Sequence, residues 1–299
     1  MAHRPNFFIV GCPRCGTTSM HAWLAQHPEI FMSPIKEPGH FGSDLVPGTE
    51  EVRITHDNYL ALFNDTGDEP VVGEASTSYI HSQRAAEEIG EFAPGARILI
   101  QLRNPVEMVW SHNRLLRHES LAEALEREPG RAAAEPGWAV REGVAVIFEQ
   151  LLLYRALVAG LPAAIERFQV QFPGRVKLLL LDDLRANPAS DYREVLEFLD
   201  ISTDHAPEFA IHKPTQGVRS ETLARLLRLA DSGLGWFYRP LYRLLGLRGL
   251  GIWDYNRAPP PEPLDPQLRQ RLTQEFAPVV RELEQLAGRD LSAWRDQRF

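Results

Sequence analysis

The sequence predicts an α/β layered domain in which helices cover a central parallel sheet. Three observations carry this. FFIV at 7–10, VVGEAS at 71–76, RILIQLR at 97–103 and VKLLLLDD at 176–183 are largely continuous apolar runs, the pattern of strands buried on both faces. Helical stretches at 18–26, 105–117, 145–168, 190–199 and 265–286 separate or follow them, as crossovers between parallel strands require. The first run also breaks into a glycine-rich turn, GCPRCG at 11–16, which opens a helix.

That turn is the first candidate site. Gly11 and Gly16 have the spacing of the G-x-x-x-x-G-K-[ST] loop, but Thr17 stands where an ATP-binding loop carries lysine and Thr18 where it carries the magnesium-binding hydroxyl. Backbone N–H groups at a helix N-terminus still attract a phosphate-like anion. Arg14 supplies the positive charge as a planar fork of donors, and Thr17, Thr18 and Ser19 add three hydroxyls. Such a loop does not demand Mg-ATP, and the absent lysine counts against the alternative of a P-loop nucleotide kinase.

The same turn holds Cys12 and Cys15, a C-x-x-C pair at a helix start, so a thiol-redox protein competes for these residues. Against it, 299 residues exceed a single thioredoxin-like unit, and Gly16-Thr17-Thr18 has no role in thiol exchange. These are the only two cysteines, which excludes a disulfide framework and fits a reducing, cytoplasmic location.

With 44% hydrophobic and 24% charged residues, the chain is ordinary globular material, read as one domain over 1–299. A net charge of −8 speaks against broad nucleic-acid binding, so an anion site must be a local arginine cluster. The six residues before the first strand form no cationic and apolar leader. No run reaches the roughly eighteen apolar residues of a membrane span, so neither secretion nor membrane crossing is expected. There is no internal repeat, and the prolines at 258–263 (APPPEP) mark the one extended, linker-like stretch.

A second phosphate site follows from RNPVEMVWS at 103–111. Arg103 ends an apolar strand and Pro105 suits the first turn of the next helix, so Arg103 projects from the carboxyl edge of the sheet, where open α/β proteins bind ligands. Ser111, two turns on, can share one anion with it. Two phosphate sites on one edge imply a nucleotide phosphorylated at both ends. The bland alternative is a cap or an Arg103–Glu107 pair.

Together these residues resemble the sulfotransferases that use 3′-phosphoadenosine 5′-phosphosulfate (PAPS). GCPRCGTTSM at 11–20 resembles the family's 5′-phosphosulfate loop, KEPGHF at 36–41 its KEPHFF segment, and LRNPVEMVWSH at 102–112 its 3′-phosphate motif. LDPQLRQRL and FAPVVRELEQLAGRDLSAW resemble its C-terminal pattern. The order and spacing are more specific than any one motif, and are most similar to bacterial members and relatives of the heparan and Golgi carbohydrate enzymes. The resemblance implies a P-loop-like, three-layer fold with PAPS, or its product PAP, across the carboxyl edge of the sheet.

Carried over, Pro13, Arg14, Cys15, Gly16, Thr17, Thr18 and Ser19 hold the 5′-phosphosulfate, while Arg103 and Ser111 hold the 3′-phosphate. Arg219, within HKPTQGVRSETLARLL at 212–227, resembles the late-loop arginine that closes over that phosphate. Glu37 matches the catalytic base of the carbohydrate enzymes, with Arg14 and Lys36 as candidates for charge stabilisation; no metal is called for. The implied acceptor is a hydroxyl, or an amine, of a small molecule, lipid or carbohydrate.

The chain also departs from the pattern. Gly39 replaces the usual histidine and His40 takes the next position; Ala75 stands where heparan-type members carry lysine. The leaving-group charge then falls to Arg14 and the helix N-terminal amides of residues 16–18. Glu74 either contacts the acceptor or braces the loop. LGWFYRPLYRLLGLRGLGIWDY at 234–255 is rich in aromatics, leucine and arginine. Within a possible insertion at 234–263, it reads as an acceptor pocket, a homodimer contact, a membrane-surface element or a buried helix pair.

Overall fold

The computed structural model of the chain describes residues 4–45, 54–116, 120–133, 138–141, 145–148, 153–210, 217–218, 257–258 and 263–296. Its sheet is built around β1 (Phe7–Gly11), which is joined in chain order by β2 (Ile30–Met32), β3 (Val71–Ala75) and β4 (Arg97–Leu102). A hairpin of β5 (Trp138–Arg141) and β6 (Ala145–Phe148) stands apart, and β7 (Val176–Leu180) completes the five-stranded sheet. The order is β2-β3-β1-β4-β7, all parallel. Ile9 aligns with Ala75 on one side and Leu99 on the other, and Leu102 aligns with Leu180.

Alternate side chains of β1 explain its unbroken apolar run. Phe8 and Val10 enter one core with α3 (Ala85–Phe92), α4 (Pro105–Leu116), α7 (Leu161–Gln171) and α10 (Pro266–Ala287). Phe7 and Ile9 enter the opposite core with α1 (Thr17–Leu24) and α9 (Pro188–Leu199). A strand with no solvent face favours apolar residues on both of its sides, and each such side chain contributes about 1.5–3 kcal/mol by burial. The chain steps from β1 outward to β2, returns through β3, then crosses to β4. Strand order thus reverses at β1, and a crevice opens at its carboxyl end.

Local signals set the helix ends. Asn187 and Asp265 accept from the N–H groups of Ser190 (3.2 Å) and Leu268 (2.8 Å), each just before a proline in the first turn. Gly288 closes α10 in the left-handed conformation.

Two expectations are corrected. Residues 145–168 are not one helix: β6 pairs antiparallel with β5, Trp138 opposite Phe148, and helix begins only at α6 (Tyr154–Ala159) and restarts after Gly160 as α7. The β-branched and aromatic residues of AVIF favour that pairing. The run at 176–183 is strand only to Leu180. Leu181 begins α8 (Leu181–Ala186), whose first turn carries Asp182 and Asp183 at the favourable end of the helix dipole. Among the described residues no helix is long and apolar enough to cross a membrane. Arg219, the segment 234–255 and most of 258–263 lie outside the described residues.

Candidate active site

The loop between β1 and α1 is tied to β4. The N–H of Cys12 donates to the Gln101 carbonyl at 2.7 Å, and the buried Gln101 side chain returns a bond to the Cys15 carbonyl at 3.3 Å. Arg14 takes a left-handed φ of 64° and Gly16 one of 87°. A Cβ on Gly16 would lie 2.8 Å from Leu181 Cδ1, so glycine meets both the backbone and the packing requirement here. The Gly16 carbonyl then accepts from Ser19 and Met20 at 3.0 and 3.1 Å, starting α1 with its first N–H groups turned toward the loop. Thr17 and Ser19 are buried and Thr18 half-buried.

On the other side of the crevice Arg103 follows β4 and is 6% exposed. Its guanidinium donates to the Arg14 carbonyl and to Glu107 Oε2, each at 3.3 Å, while its buried Nε has no partner among the described residues. The other Glu107 oxygen pairs with Arg269 of α10 at 2.5 Å. Arg14 Nε donates to Ser111 Oγ of α4 at 3.0 Å, so the loop after β1 and the helix after β4 meet. Burial, and then the neighbouring Arg103 charge, lower the Arg14 pKa. A half-buried and a buried guanidinium thus lie side by side at this edge of the sheet. The C-terminal segment buttresses this end: Trp294 of α11 (Ser292–Arg295) donates from Nε1 to Asp182 at 2.7 Å and accepts at its carbonyl from Asn104 at 3.4 Å.

Glu37 stands at the carboxyl end of β3. Its N–H donates to the Ala75 carbonyl at 2.8 Å, with a left-handed φ of 61°. Its carboxylate accepts from the Thr77 N–H at 2.7 Å and the Thr77 hydroxyl at 3.0 Å, and pairs with Lys36. Glu37 thus forms a surface ion pair with Lys36, but Thr77 also fixes the carboxylate, which stays 44% exposed. His21 of α1 was not singled out from the sequence. It lies within the field of Lys36 and Glu37, bonded to the Ser33 carbonyl at 3.1 Å, with a pKa lowered chiefly by burial. Its place one helical turn beyond Thr17 was the available signal.

Glu74 is wholly buried, and burial raises its pKa to about 7 against the opposing pull of three hydroxyl donors. Its lack of exposure excludes direct acceptor contact in this conformation. His40 stacks on Tyr59 with ring centroids 4.2 Å apart and meets His56 at 3.3 Å. Cys12 and Cys15 are fully buried members of the hydrophobic core, and the Cys15 thiol donates to the Pro13 carbonyl at 3.4 Å. The Cys12 pKa is raised well above its ordinary value by its bond with Cys15 and by burial, the opposite of an activated thiolate.

A glycine-rich loop between β1 and α1 of a parallel sheet, with Thr17 at the loop-lysine position, Arg14 within the loop and Arg103 across the crevice, defines a P-loop-like α/β domain. Known proteins narrow the class. A model described as "Sulfotransferase family" matches residues 5–69. A sulfotransferase from Alicyclobacillus acidocaldarius superposes with a TM-score of 0.72 over 98% of this chain and 100% of that one, at 29% identity. The human bifunctional heparan sulfate N-deacetylase/N-sulfotransferase 3 is 30% identical over 214 residues, 66% of this chain and 22% of that protein. Human carbohydrate sulfotransferase 15 is 29% identical over 147 residues, 36% of this chain and 26% of that protein. The match thus spans about a quarter of the length of these curated relatives. Residues 5–69 thus match the sulfotransferase family, and the chain as a whole shares the fold of a bacterial sulfotransferase.

Proposed function

We propose that this protein transfers the sulfuryl group of PAPS to a hydroxyl, or less readily an amine, of a carbohydrate, lipid or other small acceptor. The observation that carries the reading is the Arg14–Ser111 contact, which joins two cationic stations at the carboxyl edge of β1 and β4. The residues present suit a nucleotide with an anion at each end. Arg103 keeps a buried Nε with no partner among the described residues, Gly16 leaves no room for a side chain, and the loop donors are amides, hydroxyls and a guanidinium. Residues 13–19 would hold the 5′-phosphosulfate, and Arg103 with Ser111 the 3′-phosphate; Arg219 is proposed for the same phosphate from sequence alone. When bound, PAPS supplies an activated sulfuryl group and a phosphate leaving group.

The protein's own groups divide the remaining work. Arg14 and the amides at the start of α1 neutralise charge that builds at the 5′ end, in a site where they are already oriented. Glu37, fixed by Thr77 yet open to solvent, takes the proton of the acceptor as it attacks. Lys36 adds positive charge beside it. The names of the similar proteins favour a carbohydrate acceptor, and two free buried thiols suit a cytoplasmic setting.

Calorimetry with PAP tests the donor, and PAP release from PAPS with chitobiose, 4-nitrophenol, 1-dodecanol and phenethylamine tests the acceptor class. No PAP binding would sink the proposal, and tight Mg-ATP binding would favour a kinase.

A further inference from the structure

Three hydroxyls donate to the buried Glu74 carboxylate: Tyr59 at 3.2 Å and Tyr79 at 2.8 Å to Oε1, and Ser76 at 2.8 Å to Oε2. Two of them continue outward. Ser76 Oγ accepts from the N–H of Gly39 at 3.1 Å, and the Tyr79 hydroxyl accepts from the N–H groups of His40 at 3.0 Å and Phe41 at 3.3 Å. The Tyr59 hydroxyl makes no such second bond among the described residues. A hydroxyl has one proton, so once Ser76 and Tyr79 give theirs to the carboxylate, only their lone pairs face the loop. Those lone pairs receive three successive backbone amides of the segment that carries Glu37.

We infer that Glu74 is a positioning residue: by fixing the direction of the Ser76 and Tyr79 hydroxyls, it holds the backbone of residues 39–41 and thereby the strained Glu37 that precedes them. The inference rests on the reading of Glu37 as the base. Stability alone gives a poor account of a carboxyl group here, since an apolar residue of like volume in a buried strand is often as stabilising as a buried charged network. What an apolar residue lacks is a way to orient both hydroxyls. The next amides are held similarly, Gly42 and Ser43 donating to Glu88 at 2.7 and 3.3 Å, so the loop is pinned beyond the Glu74 relay as well.

The test compares Tyr79→Phe, Ser76→Ala and Glu74→Gln with Tyr59→Phe in the full chain. Tyr59→Phe removes a buried hydroxyl from the same carboxylate oxygen but from no loop amide. Hydrogen exchange at the amides of 39–41 is read first, then PAP affinity and kcat with whichever of the four acceptors the wild type uses. The first three variants are expected to speed exchange and lower kcat by about tenfold or more, the effect of one lost hydrogen bond on an ordered segment, with PAP affinity within about twofold. Tyr59→Phe should leave exchange and kcat within about twofold, because its hydroxyl contacts no part of the loop. Equal effects of Tyr59→Phe and Tyr79→Phe would reduce the cluster to generic packing and overturn the inference. Unchanged exchange in Tyr79→Phe and Ser76→Ala would do the same. Exchange is read whether or not sulfuryl transfer occurs, so failure of the proposed activity is distinct from failure of the clamp.

Discussion

Arg14 Nε lies 3.0 Å from Ser111 Oγ across 97 positions of sequence, and this contact makes one cradle of two motifs. Truncating Arg14 to alanine should weaken PAP binding by about 10- to 100-fold, the range for a hydrogen bond to a charged group. Ser111→Ala should cost less. The double variant should fall short of the sum, with a coupling of about 0.5–3 kcal/mol as expected for residues in contact, measured by calorimetry as a double-mutant cycle.

The role proposed for Arg103 at the 3′-phosphate can be tested apart from the 5′ end. Arg103→Lys keeps a charge but loses the fork that reaches both the Arg14 carbonyl and Glu107. We expect PAP affinity to fall while affinity for adenosine 5′-monophosphate, which lacks the 3′-phosphate, stays nearly constant. Parallel losses for both ligands would remove Arg103 from the 3′-phosphate site.

Glu37→Gln keeps the size of the side chain and its bond from Thr77, but cannot accept a proton. A decrease in kcat of about 10²- to 10⁴-fold with unchanged PAP affinity is the expected signature of a lost general base. Wild-type turnover in this variant would exclude the role.

Glu74 also predicts a stability profile. Its pKa of about 7 in the fold lies above the ordinary carboxyl value, so the native state binds the proton more tightly than the unfolded chain. The Glu74 contribution is complete below the unfolded pKa and is lost as pH rises through about 7, at up to about 1.4 kcal/mol per pH unit in between. The stability difference between wild type and Glu74→Gln, from urea midpoints at pH 4 to 8, should shift against wild type over that interval and then level off. A pH-independent difference would show that the group titrates normally.

Gly16→Ala forces a side chain onto Leu181 at a left-handed backbone position. A destabilisation of about 1–3 kcal/mol, typical of overpacking and backbone strain, should appear as a lower Tm together with weaker PAP binding.

How much of this was legible depended on how local the signal was. β1, β3, β4 and β7 were readable because continuous apolar runs have few other structural solutions. β2, three residues of IFM, carries no period. Residues 145–148 read as helix because apolar residues continue into a true helix at 154, and the partner that makes them a strand lies at 138–141. At the site, Arg14, Arg103 and Ser111 were nameable from glycine spacing and strand ends. Their contact was not, because it exists only once β1 and β4 are neighbours. Arg103 does pair with Glu107, as the bland reading held, and it also reaches the Arg14 carbonyl. The Glu74 relay was hidden for the same reason: Tyr59 and Gly39 lie 15 and 35 positions away from it in sequence.

The C-terminal helices have a consequence for biosynthesis. The loop, Arg103 and Ser111 all lie in the first 111 residues, yet Glu107 and Asn104 find Arg269 and Trp294 in the final stretch of this sequence. Domains form as the chain leaves the ribosome, amino end first. A nascent chain therefore carries the β1–α1 loop, Arg103 and Ser111 long before Arg269 and Trp294 can brace Glu107 and Asn104 behind them.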